Sequence, residues 1–448
     1  MNQLVDMMHR LGLRLQETGA TQMNGMPSMS LLKPLVMLYE ETGNRKYLDY
    51  AAEMLPDWDR EDAPPPNFFR NASNGRPLAD WYENPQVWAK AYEMMSCLDG
   101  LLEYYRATGE KRCLDTVVAI RDGLAKDEAN PFQAVGYGDK FFYAAQRANA
   151  LNEVCDVIHW IRLNLDLYLI TGEKRFLDAI EPAYVNGFLA GIYRDGQWGP
   201  FFLRGHGRHQ FQRQCGYAYN HCCVNNLPRT FMDVASAVVT ADAQGTYHVN
   251  FYEDATVEMD GVRFTIAGNY PVGDTVTVTT SKKVPLAFHR PAWCPKMDVR
   301  EEGLTTTIRF DMNPRIVNRT IPNRADDAPK DGLWAYNRYG DKTWKGYNAD
   351  VLSSYRTTAA AQVMWGPLVL AKARRIGDTD AEVFDPFTVN GKGYSLKLTP
   401  LKPTCTWGLW EVELTKPDGK TVKTRACDFQ SAGDTPIEDK GMEFSIWF

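Results

Sequence analysis

Between Gly138 and Arg229 the chain concentrates side chains whose types and spacing could do chemistry. Asn152-Glu153-Val154-Cys155 sets a carboxylate two residues before a thiol, and His221-Cys222-Cys223-Val224-Asn225-Asn226-Leu227-Pro228-Arg229 sets two thiols side by side. Three thiols and one carboxylate are the donor types, in the number, that a four-coordinate Zn²⁺ takes. A sulfur-rich set disfavours Mg²⁺ and Ca²⁺. The spacing is not that of a zinc finger, because the sequence contains no C-x-x-C. On the residues alone a metal site therefore competes with a plainer reading, in which each thiol is a small buried hydrophobe. That plainer reading suits Cys97, Cys113, Cys405 and Cys427. It suits Cys222 and Cys223 less well, since two adjacent thiols rarely both point into one apolar core.

The remaining candidates are weaker. His206 and His209, in RGHGRHQF, precede the cysteine pair and could hydrogen-bond sugar hydroxyls, or could be ordinary surface histidines. Trp81, Tyr82 and Trp88 form an aromatic cluster that could stack on a sugar ring or pack between helices. H-E-x-x-H, a P-loop and a strand-linked G-x-G-x-x-G are all missing, which argues against a zinc peptidase and a nucleotide-binding enzyme.

The elements that must hold these residues fall into two kinds. Three stretches share one pattern: Tyr39-x-x-Thr42-Gly43 with Leu48-Asp49, Tyr105-x-x-Thr108-Gly109 with Leu114-Asp115, and Tyr168-x-x-Thr171-Gly172 with Leu177-Asp178. The copies lie 66 and 63 residues apart, and each follows an amphipathic run such as CLDGLLEYYRATG. The pattern predicts a helix closed by a glycine C-cap, a short polar turn and a new helix. A repeat of this length fits a pair of helices stacked on its neighbours. Residues 1–240 thus read as a helical toroid or solenoid of hairpins. From Thr246 the periodicity changes to short β-branched and aromatic runs separated by turn residues: TYHVNFY, ATVEM, VRFTIAG, DTVTVTT and VPLAFHR. This predicts a β-sandwich over 241–376. Residues 377–448 form a β-rich C-terminal segment packing with it, ending in WGLWEVEL and MEFSIWF. Residues 313–350 are polar and turn-rich, and read as a long surface loop.

Composition narrows the function classes. The 448 residues carry 50 Lys+Arg against 56 Asp+Glu, a net charge of −6. No basic footprint for nucleic acid or polybasic membrane anchor results. No apolar run approaches the ~20 residues that span a bilayer. The start, MNQLVDMMHRLGLRL, lacks the pattern of a signal peptide. With nine cysteines, an odd number, the chain is expected to be cytoplasmic with reduced thiols.

Taken together the motifs resemble the β-L-arabinofuranosidase-type glycoside hydrolases, family 127 and its relatives. The resemblance rests on the E-x-C of Glu153 and Cys155, the C-C-x-x-N of Cys222, Cys223 and Asn226, and the T-G hairpins. It rests further on YVNGFLAGIYRDGQ (184–197), FYEDATVEMDGVRFTIAGNYP (251–271), HRPAWC (289–294) and VMWGPLVLA (363–371), and covers most of the chain. It implies a multidomain protein, an N-terminal (α/α) toroid carrying the active site with β-sandwich modules behind it. It implies a Zn²⁺ held by Glu153, Cys155, Cys222 and Cys223, with Cys222 as the attacking thiolate. The family places an acid/base glutamate within G-E-x-F. Here Gly138-Asp139-Lys140-Phe141 stands in that place, so Asp139 is the candidate, one methylene shorter. His206, His209, Trp88 and Asn226 are the candidates for holding substrate. A retaining hydrolase of β-L-arabinofuranosides or a related furanoside follows; the alternative is a non-catalytic or carbohydrate-binding homologue with structural zinc.

Two departures from the family pattern bear on this. The early helices normally supply histidines to the sugar pocket, yet none lies between His9 and His159; WAKAYEMMSCLDG offers Lys90 and Glu93 instead. Residues 1–240 also hold only about eight helices of ordinary length, where a six-hairpin ring needs about twelve. The expectation is an incomplete ring, from a missing N-terminal part or an open, divergent member, with an exposed apolar edge and hence homo-oligomerisation or poor solubility.

Overall fold

The computed structural model describes residues 31–59, 67–75, 78–81, 91–136, 141, 152–192, 200–207, 210–211, 222–322, 357–377, 392–433 and 443–448. The chain groups into two compact units. The first comprises residues 1–130, 134–167 and 322–357; the second comprises 131–133, 168–321 and 358–448.

The first unit is helical. Its described elements are α1 (Leu32–Thr42), α2 (Arg45–Met54), α3 (Phe68–Ser73), α4 (Ala91–Thr108), α5 (Lys111–Asp127), the short strand β1 (Asn152–Glu153) and α6 (Val154–Thr171), whose last turn is counted with the second unit. Helix α1 buries Leu32, Leu35 and Val36, and α4 buries Met94, Cys97, Leu98 and Leu101. The two helices approach closely at Gly100, where a Cβ would lie 2.8 Å from that of Leu32.

The C-caps predicted from Y-x-x-T-G are present in all three copies. Gly43, Gly109 and Gly172 adopt φ of +66°, +75° and +71°. Each donates its N–H to the tyrosine carbonyl four residues back at 2.7 Å. The threonine completes the turn: its Oγ1 accepts the N–H of Asn44 at 3.2 Å, Glu110 at 3.2 Å and Glu173 at 3.1 Å. Only glycine takes φ > 0 without a Cβ penalty.

The second unit carries α7 (Leu177–Pro182), which continues into a π-helical turn (Ala183–Phe188). The strands β2 (Pro200–Leu203), β3 (His206–Gly207) and β4 (Gln210–Phe211) follow, then α8 (Cys222–Ala237). Helix gives way to strand between Ala237 and Val239, a few residues before the change of periodicity read from the sequence at 241–246. Strands β5 (Val239–Ala241), β6 (Tyr247–Val249) and β10 (Leu286–Phe288) form a small sheet. A five-stranded antiparallel sheet has the order β11-β12-β9-β8-β7, from β7 (Ala255–Met259), β8 (Val262–Gly268), β9 (Thr275–Thr280), β11 (Met297–Glu302) and β12 (Thr305–Phe310). Strict alternation buries Val262, Phe264 and Ile266 of β8 on one face. Ile266 stands opposite Val278, and Val278 opposite Thr306.

The last sheet has the order β13-β14-β15-β18-β17-β16, from β13 (Arg315–Pro322), β14 (Thr357–Trp365), β15 (Leu368–Ala373), β16 (Ser395–Pro400), β17 (Leu409–Thr415) and β18 (Thr421–Asp428). The short helix α9 (Phe429–Ala432) and strand β19 (Phe444–Ser445), which pairs with β15 and β3, complete the chain. Strand β15 is buried at every position.

Two expectations are corrected. Within the stretch read as helical, residues 200–203, 206–207 and 210–211 form the strands β2, β3 and β4. Residues 315–322, read as part of a surface loop, form the edge strand β13. Ile316 packs into the core beside it, so four β-branched residues, Ile316, Val317, Thr320 and Ile321, outweigh the polar composition that suggested a loop. Residues 323–350 lie outside the described residues.

Candidate functional site

The E-x-C motif straddles a strand-to-helix junction. Asn152 and Glu153 are β1, and Cys155 and Asp156 sit in the first turn of α6. All are deeply buried: Glu153 is 4% exposed, Cys155 1%, and Asn152 and Asp156 0%. The Asn152 amide donates to the carbonyls of Val135 at 2.7 Å and Gly136 at 3.3 Å. Gly136, at φ +92°, lies against Asp156; a Cβ there would come within 2.5 Å of Oδ2. Glycine is therefore required on both counts, and the segment leading to Gly138-Asp139 is pinned to the start of α6. Asp139 itself lies outside the described residues; Phe141, which closes that motif, is fully buried.

Cys222 and Cys223 are the first two residues of α8. Their side chains lie outside the described residues, as do Trp88 and His209 entirely and the side chain of His206, whose backbone is in β3. Asn226, one turn into α8, is 8% exposed and accepts from Arg229 Nη1 at 3.0 Å. Among the described residues no three His, Cys, Asp or Glu side chains form a metal-holding group. The donor chemistry nevertheless fits Zn²⁺: a buried carboxylate and thiol share one junction, and two more thiols open a helix. The cysteines given the plainer reading follow it. Cys97, Cys113 and Cys427 are buried and Cys405 is half-buried. Burial pushes the Cys113 thiol up to about 12 and those of Cys97 and Cys427 well above the ordinary value, which keeps them protonated.

Sequence reasoning missed a buried pair one helical turn beyond Cys155. His159 Nε2 lies 2.9 Å from Asp99 Oδ2, with the Tyr92 ring edge-on at 4.5 Å. Burial alone would raise the Asp99 carboxyl, but His159, Lys33 and Arg162 outweigh it and hold it below its ordinary value. The signal was available: His159 stands at i+4 from Cys155, on the same helix face.

The β-half motifs prove to be docking contacts. The Asn186 amide of YVNGF donates to the carbonyls of Pro182 and Pro367, both at 2.8 Å, and its oxygen accepts the Val369 N–H at 2.8 Å. This clamps the π-helical turn to WGPLVLA. HRPAWC docks on α7: Asp178 accepts the Ala292 N–H at 2.8 Å, and Glu181 accepts Trp293 Nε1–H at 2.8 Å.

Helices that bury an E-x-C junction, followed by mostly antiparallel sheets, make this a multidomain fold of helices and sheets. A model of the family 127 β-L-arabinofuranosidase catalytic domain matches residues 3–236. The chain belongs to that family. Among solved structures, one described only as a glycoside hydrolase superposes with a TM-score of 0.62 at 16% identity, covering 94% of this chain and 74% of its own. A family 127 β-L-arabinofuranosidase from Geobacillus stearothermophilus T6 gives 0.60 at 16% identity, covering 93% and 71%. A family 127 β-arabinofuranosidase gives 0.59 at 15%, covering 93% and 68%. No curated protein sequence matches the chain. Among the described residues no helix is long and apolar enough to cross a membrane.

Proposed function

We propose that this protein is a retaining glycoside hydrolase of β-L-arabinofuranosides or a closely related furanoside, working through a zinc-bound cysteine nucleophile. Membership of the family supports a carbohydrate substrate. The observation that carries the finer reading is the E-x-C junction, with Glu153 and Cys155 almost wholly buried and the Asp139 lead-in pinned beside them. Glu153, Cys155, Cys222 and Cys223 are the residues that would hold Zn²⁺. The bound ion would keep a thiol of ordinary pKa ~8.5 in its thiolate form at neutral pH.

The steps belong to the chain's own groups. Cys222 Sγ attacks the anomeric carbon as Asp139 protonates the departing glycosidic oxygen. Asp139 then takes a proton from a water that displaces Cys222 from the same carbon, so configuration is retained. Cys222 and Cys223 begin α8, and a helix N-terminus favours an anion there. His206, His209, Trp88 and Asn226 are assigned to holding the sugar. The helical catalytic domain is taken as 1–240, of (α/α) toroid type, with a β-sandwich over 241–376 and a β-rich segment over 377–448. A cytoplasmic homo-oligomer is the expected state.

The test is an assay on an aryl β-L-arabinofuranoside with metal analysis of the same sample. Wild type should carry close to one zinc per chain and yield the retained product. Cys222→Ser should abolish turnover, and Cys223→Ser should lower it in proportion to lost zinc. Substantial Cys222→Ser activity at full zinc occupancy, or an inverted product, overturns the mechanism. Full zinc with no turnover of any furanoside would leave the structural-zinc homologue.

A further inference from the structure

The second unit contains a cleft of about 740 Å³ between the five-stranded sheet and the loop after β16. None of the residues assigned to catalysis or zinc lines it. The volume falls within the ~300–1,000 Å³ of small-molecule sites. Trp365 and Trp407 contribute two half-buried indoles, and Asp274, Arg309, Lys296 and Asp298 contribute charge at the rim.

The Trp365 indole and the Trp407 backbone are held in place. Trp365 Nε1–H donates to the Val272 carbonyl at 2.9 Å. Trp407 N–H donates to Ser431 Oγ at 2.9 Å, and the next N–H, of Gly408, to Asp428 Oδ1 at 2.8 Å. Each tryptophan is followed by a glycine that no other residue could replace without displacement. A Cβ at Gly366 would lie 2.6 Å from Met312 Cε, and one at Gly408 would lie 2.2 Å from the Trp410 ring. The Trp365 ring and the backbone that carries Trp407 are thus fixed before any ligand arrives, and Trp407 packs against the core of the last sheet, which removes part of the ordering cost of binding.

The rim charges are paired, Arg309 with Asp274 at 2.9 Å and Lys296 with Asp298 at 2.9 Å. Asp311 adds one more carboxylate to the lining, so a slight negative excess remains. That repels an anionic ligand and leaves no isolated cation for a phosphate. What remains is flat apolar faces beside fixed donors and acceptors, the recognition chemistry of a polyhydroxylated ring: C–H faces on the indoles, hydroxyls on carboxylate and guanidinium groups.

We propose that this cleft is a second carbohydrate-binding site, taking a short neutral oligosaccharide laid across Trp365 and Trp407 with hydroxyls on Asp274 and Arg309. It retains substrate on the enzyme without taking part in bond cleavage, and does not depend on the identity of the nucleophile. The experiment is affinity electrophoresis of the full chain through gels containing soluble arabinan, with soluble mixed-linkage β-glucan in parallel gels. Wild type and Cys222→Ser should be retarded equally. Trp407→Ala and Arg309→Ala should each weaken apparent affinity about fivefold or more, roughly 1 kcal/mol. The Arg309 side chain is 70% exposed, so its variant decides the matter if Trp407→Ala does not fold. Retardation by arabinan alone narrows the ligand to pentose chains; retardation by β-glucan also supports the site, with broader ring tolerance. No retardation in either gel, retardation unchanged in both variants, or retardation lost in Cys222→Ser overturns the proposal.

Discussion

In the turns after α1 and α4, the aspartate of the L-D pair closes an ion pair with a basic residue four positions earlier, Asp49 with Arg45 at 3.3 Å and Asp115 with Lys111 at 2.7 Å. All four side chains are more than half exposed. In the turn after α6 the corresponding basic residue, Lys174, reaches the Tyr168 hydroxyl at 3.1 Å instead. Asp178 is released to accept the Ala292 N–H at 2.8 Å, with His289 Nε2 at 3.1 Å. The tyrosines differ in the same way. Tyr39 and Tyr105 are half-buried, whereas Tyr168 is buried and donates to Asn250 Oδ1 at 2.9 Å. One local sequence makes the same turn three times, and what packs against the third copy changes the work of its side chains.

The largest difference should appear at Glu181, whose counterparts three residues after the other two aspartates are Ala52 and Val118. Glu181 accepts from both Tyr270 Oη and Trp293 Nε1. Glu181→Ala leaves the buried Tyr270 hydroxyl and the half-buried Trp293 N–H unsatisfied and should cost about 3–5 kcal/mol in a urea titration. The same site sets a pH dependence. Burial, then the nearby Glu253 charge, pushes the Glu181 carboxyl from 4.5 up to about 8. The unfolded chain loses that proton first. This site's contribution is therefore whole below about 4.5, falls as pH rises, and is lost by about 8. Glu181→Gln should remove that slope; an unchanged slope would show that Glu181 is not the titrating group.

Next in size, Asp178→Ala should cost about 1.5–3 kcal/mol, the range for hydrogen bonds to a charged acceptor. Gly43→Ala, Gly109→Ala and Gly172→Ala should each cost about 1–2 kcal/mol, from the left-handed backbone alone. No neighbour lies within 4 Å of any of the three added Cβ atoms. Thermal melts giving unequal costs would break the equivalence of the turns. The smallest effect is expected for Asp49→Ala and Asp115→Ala, within about 0.5 kcal/mol and vanishing in high salt. A cost near that of Asp178→Ala would erase the contrast between the copies.

The helical turns were legible because their cause is local: the glycine, the threonine just before it and the amphipathic run all lie close together in the chain. The strands of the five-stranded sheet were legible where alternation is strong, as in VRFTIAG. They were not where the strand faces solvent along most of its length, as in β11, whose last five residues are exposed. Strand β13 was hidden by its polar neighbours, because composition over a long window averages out a short β-branched run. At the site, Glu153, Cys155 and the cysteine pair stood out by residue type. The Asp99–His159 pair did not, because its partners are 60 residues apart.

By itself, then, the sequence determined the turn geometry at Gly43, Gly109 and Gly172, the existence of a change from helix to strand near residue 240, and the family. These follow from backbone sterics, periodicity and residue chemistry, all of which act over short stretches. Only the tertiary structure decided that Asn186 clamps the π-helical turn to Pro367 and Val369, that Asp178 and Glu181 serve HRPAWC, and that Trp365 and Trp407 share a cleft. Each of those contacts joins residues that are distant along the chain, and its strength comes from burial that exists only once the sheets have formed.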